Sequence, residues 1–373
     1  MKPTNGQAII QLFETWSPKK LMAMEQDPIG LAIGTLNKAV TKVLVTLDVT
    51  DEVVDEAIAA GCELIIAHHP PIFRKLAHIR TDTPQGKLYE KLIKNDLAVY
   101  AAHTNLDVAE GGVNDLLAEA LQLQNIGILT PTYTEQLFKL AVYIPREHAL
   151  KLRVALAQIG AGQMGAYDSC SFQTSGEGRF RALDHAQPFV GTVGDIHMEP
   201  EEKVEVVIPQ PLINKALRMM KQNHPYEEVA YDLYALATPA KQYGIGRIGL
   251  LAEPMTLAQF GAHVKKAFHV PTVRAVGDLH AIVRKVAVLG GSGDSYVSKA
   301  KYAGADVFVT GDISFHIAQD AEATGLSLID PGHHIEAIMK QGVANKMTVL
   351  CTEHKMAVEF IPSNLSTEPF KFI

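Results

Sequence analysis

Leu64-Ile65-Ile66-Ala67-His68-His69-Pro70-Pro71 is the stretch on which the reading of this chain turns. Four apolar residues in a row, two of them β-branched, predict a strand buried on both faces, and the two prolines end it. Adjacent residues at a strand end point to opposite sides, so the two imidazoles are expected to diverge, with neighbouring loops free to add ligands. The same layout recurs twice. Ala98-Val99-Tyr100-Ala101-Ala102 runs into His103-Thr104-Asn105-Leu106-Asp107, and Leu326-Ser327-Leu328-Ile329-Asp330-Pro331-Gly332 runs into His333-His334-Ile335-Glu336. Three apolar strands that each end in histidine with a carboxylate close by suit a pair of metal ions. Imidazole with carboxylate is a donor set for zinc, iron, manganese or nickel.

Working outward, the strands alternate with helical patterns. Residues 42–49 form a β-branched strand. Thr50 then reads as an N-cap, with Asp51 and Glu52 in the first turn of a helix through residue 60. Strands at 62–67 and 97–102 alternate with helices at 85–95 and 114–123, and a helix at 6–16 precedes them all. This is the pattern of an α/β sheet flanked by helices. After Pro131 the order changes to strand 139–145, helix 147–160, strands near 170–173 and 203–208, helix 211–223 and strand 229–234. That β-α-β-β-α-β order is the ferredoxin-like arrangement. From about Gly244 the first style returns, with a helix at 255–267 and strands at 286–289 and 307–312. The candidate ligands lie before and after the middle segment. The chain therefore reads as one discontinuous α/β domain, residues 1–130 and 237–373, with an inserted α+β domain at residues 131–236.

Composition limits the function. The 373 residues are 47% hydrophobic and 20% charged, ordinary for a globular protein, and long enough for two domains or three. A net charge of -7 argues against nucleic-acid binding as the main purpose. No apolar run reaches the roughly 18–20 residues of a membrane span. The first residues lack a signal-peptide layout. Cys62, Cys170 and Cys351 are scattered and form no C-x-x-C pair. Together these features predict a cytoplasmic protein with buried thiols.

Each candidate has a plainer reading beside it. His68 and His69 alone would cap a strand, but His103/Asp107 and His333/Glu336 in similar settings favour a ligand cluster at strand ends. Asp107 alone would be a loop or cap carboxylate before Gly111-Gly112. His103 either binds metal or stands behind the ligands and holds a water or a substrate group. If a helix starts after Gly332, His333 and Glu336 share one face, and the carboxylate bridges two ions. Otherwise Glu336 is a first-turn acid facing the helix dipole. His334 points elsewhere, as a supporting or catalytic group. Gly290-Gly291-Ser292-Gly293-Asp294 is equally a phosphate cradle or a tight turn that lets backbone approach the site; it has neither a P-loop lysine nor the dinucleotide spacing. Asp312 and His316 either line the same cleft or are solvated. His224-Pro225-Tyr226-Glu227-Glu228 reads as a structural turn.

At this point the residues match a known pattern. The stretches Ala67-His68-His69-Pro70-Pro71-Ile72-Phe73, Ala102-His103-Thr104-Asn105-Leu106-Asp107, Gly290-Gly291-Ser292-Gly293, Thr310-Gly311-Asp312 and Asp330-Pro331-Gly332-His333-His334-Ile335-Glu336 resemble the NIF-three-like family. Its bacterial members carry the name GTP cyclohydrolase I type 2 homologue. The middle segment is similar to the PII-like insert of the long bacterial forms, so the resemblance covers nearly the whole chain. It implies a NIF-three-like α/β domain with a ferredoxin-like (PII-like) insert, assembled as a toroidal hexamer, a homo-oligomer. It implies a dinuclear site for two divalent ions, with zinc first and iron, manganese or nickel as alternatives. The ligands carried over are His68, His69, Asp107, His333 and Glu336. His103 and His334 are the candidates for moving protons. The activity implied is metal-assisted opening of the GTP imidazole ring with loss of formate, on a nucleotide or another small heterocyclic or phosphorylated substrate. A metal-handling or regulatory binding protein is the other reading, suggested by the insert.

Overall fold

In the computed structural model, which describes residues 4–238 and 240–373, Leu64–Ala67 is a strand whose four residues are all buried. It lies at the centre of a five-stranded sheet ordered Glu359–Pro362, Lys42–Thr46, Leu64–Ala67, Ala98–Ala101, Gly30–Ile33. The first four strands are mutually parallel, and Gly30–Ile33 pairs antiparallel with Ala98–Ala101. Parallel pairing brings the carboxyl ends of neighbouring strands to one edge. The register is close: Thr46 faces Ala67, and Ala67 faces Ala101. Asp48, His69 and His103 each follow two residues later, so three polar groups far apart in sequence leave the sheet side by side.

A second sheet runs Arg274–Val276, Ser327–Asp330, Val307–Gly311, Ile282–Ser292, Gln242–Thr256, Gln124–Thr134. Val307–Gly311 is parallel to both its neighbours, which again puts Gly290 to Ser292, Asp312 and His333 at one edge. Side-chain alternation sorts residues into layers. Val43, Val45, Leu64 and Ile66 share a core with Val286, Val288, Val307 and Val309 of the second sheet, across Leu117, Val343 and Met347. Leu44, Ile65 and Val99 turn the other way, onto Val53, Val54, Tyr89 and Leu92. Ala287, Leu289 and Phe308 turn outward onto Val297, Ala300 and Ala321. Both faces of both sheets are covered, which is why these strands read as continuous apolar runs.

The chain divides into two compact units, one running to Tyr133 and resuming at Tyr243, the other Thr134–Gln242. The second unit holds a four-stranded antiparallel sheet ordered Tyr231–Ala235, Leu137–Pro145, Ile196–Pro209, Phe172–Arg181. The helices Ala149–Gln158 and Ile213–Gln222 pack on it through Leu152, Leu156, Ala216 and Met220.

Several expectations need correction. The strand expected at 203–208 is the 14-residue Ile196–Pro209, and the one near 170–173 continues to Arg181. Most of their extra residues are polar or glycine, with Ile196, Met198 and Phe180 scattered among them, so no continuous apolar run marks them. The helix expected from 255 starts at Leu257, because Met255 and Thr256 still belong to a strand and Thr256 caps the helix with Gln259. The strand expected to end at 289 continues through Ser292. Among the described residues no helix is long and apolar enough to cross a membrane.

Candidate metal centre

His68 and His69 do not diverge as their strand position suggests. Both leave the Leu64–Ala67 strand toward one carboxylate, that of Glu336. His68 Nε2 lies 3.6 Å from Glu336 Oε1, and His69 Nε2 lies 3.1 Å from Oε2. The strand ends at Ala67, so the alternation no longer governs the two histidines. His333 Nε2 is 3.2 Å from Glu336 Oε2 and 3.3 Å from His69 Nε2. On the other side, Asp107 Oδ1 is 3.6 Å from His68 Nε2. One carboxylate thus faces two donor groups, His68 with Asp107 and His69 with His333. Two donors held about 2.0–2.1 Å from one tetrahedral ion stand about 3.4 Å apart. The observed 3.1 to 3.6 Å spacings bracket that figure.

The sets His68–Asp107–Glu336, His69–His333–Glu336 and His68–His69–His103 each place a ligand atom from every member close enough to hold a metal ion. The cluster therefore brings together His68, His69, Asp107, His333 and Glu336, with His103 adjoining. His68 Nε2 and Asp107 Oδ1 are buried and have no hydrogen-bond partner. Two such orphaned atoms are costly in a packed interior, and a cation between them would remove the cost.

The histidines are aimed. Each of the four spends Nδ1 on an acceptor behind it and turns Nε2 inward. His68 donates to the Ala102 carbonyl at 2.8 Å, His69 to Asp48 at 2.6 Å, His103 to Asp27 at 2.8 Å and His333 to Asp312 at 2.7 Å. Such partners fix both tautomer and ring orientation in metal sites. Asp48 and Asp27 escaped the sequence reading. The signal that could have found Asp48 is its place two residues beyond a strand end level with the other two. Asp312 does line the cluster, through His333. His316 does not: it is exposed and pairs with Gln319 at 3.4 Å. His224 has both ring nitrogens engaged, with the Tyr143 carbonyl and the Tyr226 N–H, as a structural turn requires.

Local structure explains the reach of Glu336. His333–Ile338 is a 3-10 helix, in which residues three apart eclipse, so His333 and Glu336 stack directly. The glycines make room. A Cβ on Gly290 would lie 2.9 Å from Glu336 Cγ, and one on Gly291 only 2.6 Å from Glu336 Oε1. Of the two readings of the glycine run, close approach of backbone to the site is the one this geometry supports. Asn114 ties the parts together, accepting from Gly290 N at 3.0 Å and donating to the Asp107 carbonyl at 3.0 Å.

The electrostatics favour positive charge. Burial alone would raise the Glu336 carboxyl, but His68, His333 and His69 around it hold it well below the usual range. Burial pushes Asp107 up to about 6 despite His68. Burial works against protonation of His69, yet Asp48 and Glu336 raise it to about 10. The Glu336 hydrogen bond raises His333 to about 9. The carboxylates favour protonated imidazoles, and a metal ion would compete with those protons. His334 is half-buried and outside the cluster, and its Nε2 is buried with no hydrogen-bond partner. It lines a cavity next to His69 and His333.

A profile of the Duf34/NIF3 (NGG1p interacting factor 3) family matches residues 4–369. The chain is 53% identical over 372 residues to a Bacillus subtilis protein named GTP cyclohydrolase 1 type 2 homolog, covering 100% of both. It is 47% identical over 373 residues to a protein of that name from Listeria innocua, again covering 100% of both. Among solved structures, a Bacillus cereus protein related to NIF3 superimposes with a TM-score of 0.95 at 50% identity, and a Staphylococcus aureus protein with 0.82 at 33%, each covering 100% of both chains.

Proposed function

Since this chain belongs to the Duf34/NIF3 family, we propose that its cluster is a dinuclear metal centre and that the protein is a metal-dependent hydrolase of the GTP cyclohydrolase 1 type 2 kind. His68, Asp107 and Glu336 would hold one ion, and His69, His333 and Glu336 the other. The donor set of imidazole and carboxylate suits zinc first, with iron, manganese or nickel as alternatives. The observation that carries the reading is the Glu336 carboxylate, with one oxygen toward His68 and the other toward His69 and His333.

Divalent ions at such a site activate water near neutral pH and polarise the electrophile. The chain's own groups do the rest. His103, aimed by Asp27, presents Nε2 beside His68 and His69, where it takes or returns a proton. His334, on the wall of the neighbouring cavity, is the second candidate for moving protons. Glu336 and Asp107 balance the charge of the ions, and the aspartates behind the histidines keep them oriented. The substrate class is a nucleotide or another small heterocyclic or phosphorylated compound.

The test has two stages. Elemental mass spectrometry of the wild type should find about two ions per chain, lost in Asp107→Asn and Glu336→Gln. Metal-loaded protein should then release formate from GTP, and Asp107→Asn should not. Formate no faster than in the variant rejects GTP as substrate. A metal-free wild type after reloading rejects the centre.

A second reading is a metal-handling or regulatory protein. The compact unit Thr134–Gln242, which contributes no residue to the cluster, favours it. We read that unit as a ferredoxin-like, PII-like insert from its β-α-β-β-α-β order. Exchangeable metal without turnover over a broad substrate panel would select this reading. A toroidal hexamer in the cytoplasm completes the proposal: the three free cysteines suit a reducing compartment, and a monomer in light scattering would refute the ring.

A further inference from the structure

Next to the cluster lies a cavity of about 700 Å³, within the range of small-molecule sites. His69 and His333 form part of its wall, so its contents reach the metal centre. Four carboxylates also line it, and each already meets a donor. Asp48 accepts from His69 at 2.6 Å, and Asp312 from His333 at 2.7 Å. Asp330 accepts from Gly332 N at 2.8 Å and from Ile313 N at 3.2 Å, and Glu368 from Phe370 N at 2.9 Å.

Arg274 has donors to spare. It is the one lysine or arginine among the lining residues, and 67% of its side chain is exposed. Strand pairing sets it opposite Asp330. A single nitrogen holds it there: Nη2 pairs with Asp330 and donates to the Ile313 carbonyl at 2.9 Å. Nε and Nη1 have no hydrogen-bond partner among the described residues. The anchor also lies close to the metal centre in the chain. Ile313 follows Asp312, which aims His333, and Asp330 holds the N–H of Gly332, the residue before His333. Thr272, on the same cavity wall, has a hydroxyl without a hydrogen-bond partner among the described residues and adds a second donor. A guanidinium tethered at one nitrogen is ordered before a ligand arrives, and its remaining N–H groups suit a phosphate or a carboxylate.

We propose that Arg274 is the anion-recognition residue of this cavity: a small molecule binds with a phosphate or carboxylate group on Arg274 and its reacting part at the His69–His333 side of the metal centre. The inference rests on reading the centre as that of a hydrolase, and it narrows the substrates to anionic compounds selected by one named side chain.

The test is calorimetric titration of the full-length, zinc-loaded protein with two matched pairs, guanosine with GMP and uracil with orotate. The first pair differs by a phosphate, the second by a carboxylate. At least one anionic member is expected to bind about 10- to 100-fold more tightly than its neutral partner, the worth of a hydrogen bond to a charged group. Arg274→Ala should erase that gain while metal content and the neutral member's affinity stay as in the wild type. Arg274→Lys should restore part of it. The pair that responds identifies the anionic group. A gain that survives Arg274→Ala overturns the proposal, since the anion then sits on the metal ions alone. So does failure of both anionic members to bind. So does loss of metal in both Arg274→Ala and Arg274→Lys, which would make the arginine a brace for His333. Anion binding that depends on Arg274, without turnover of any compound, would remove the hydrolase reading and leave the anion site standing. Turnover of an uncharged substrate, equal in wild type and Arg274→Ala, would do the reverse.

Discussion

Glu336 is buried to 3% exposure and meets three imidazoles, and the backbone opposite has to stay bare for it to sit there. Gly291 therefore does two things at once: its φ of +67° suits glycine, and its missing Cβ leaves Glu336 Oε1 in place. Gly291→Ala is expected to fold, since the strain is local, but to bind metal about 10- to 100-fold more weakly, the loss typical when a ligand's support is disturbed. Chelator titration with circular dichroism as the folding control checks this. The thiols give a second test. Burial pushes both Cys62 and Cys351 up to about 11, so roughly one molecule in a thousand carries the thiolate at pH 8. Native protein at pH 8 should be alkylated by iodoacetamide at the partly exposed Cys170 and not at the other two, as mass mapping would read. Most of the cluster was legible at this scale, because histidines and carboxylates after apolar runs are conspicuous in sequence. Asp27 and Asp48 were not. Their role is to stand behind a ring, which only pairing in space defines.

Between residues and the whole, the elements show what pattern does and does not reveal. The helix over Asp51–Ala60 was readable end to end: Thr50 accepts from Val53 N, and Gly61 closes it at a φ of +70°. The helix Met339–Glu353 was not read, although Met339, Val343, Ala344, Met347 and Cys351 are all buried in the shared core. Its other positions mix Thr, Val and Leu with Lys and Glu, so no clean apolar stripe stands out. The helix is central nonetheless. Met347 is fully buried among residues of both sheets, and Met347→Ala should cost about 2–5 kcal/mol. Denaturant melts of the two proteins decide it. A cost below 1 kcal/mol would mean that the core closes over the gap. The edge strand Gln124–Thr134 and its neighbour Gln242–Thr256 also escaped: the first is largely exposed, and in the second Gly244, Gly246 and Gly249 break up the apolar alternation.

For the molecule as a whole, the sequence showed its change of style near residues 131 and 244 because the two units use different periodicities: parallel buried strands in one, an antiparallel sheet with an exposed edge in the other. Every member of the candidate cluster belongs to the unit that ends at Tyr133 and resumes at Tyr243. Chain entry and exit of the inserted unit lie together, with Glu135 N donating to the Lys241 carbonyl at 2.9 Å. Replacing residues 134–242 with a short glycine-serine turn is therefore expected to leave metal content per chain unchanged. Loss of metal in that deletion would show that the insert supports the centre.

His69 and Glu336 touch although they are 267 residues apart in the chain. On the ribosome, His68, His69, His103 and Asp107 emerge before the inserted unit, and domains generally fold as units as they emerge. Glu336, the carboxylate common to both donor groups, comes last of the cluster. A chain whose translation stops early holds half a binding site and no way to close it. On the proposed reading, retention of metal reports a chain made at least as far as Glu336.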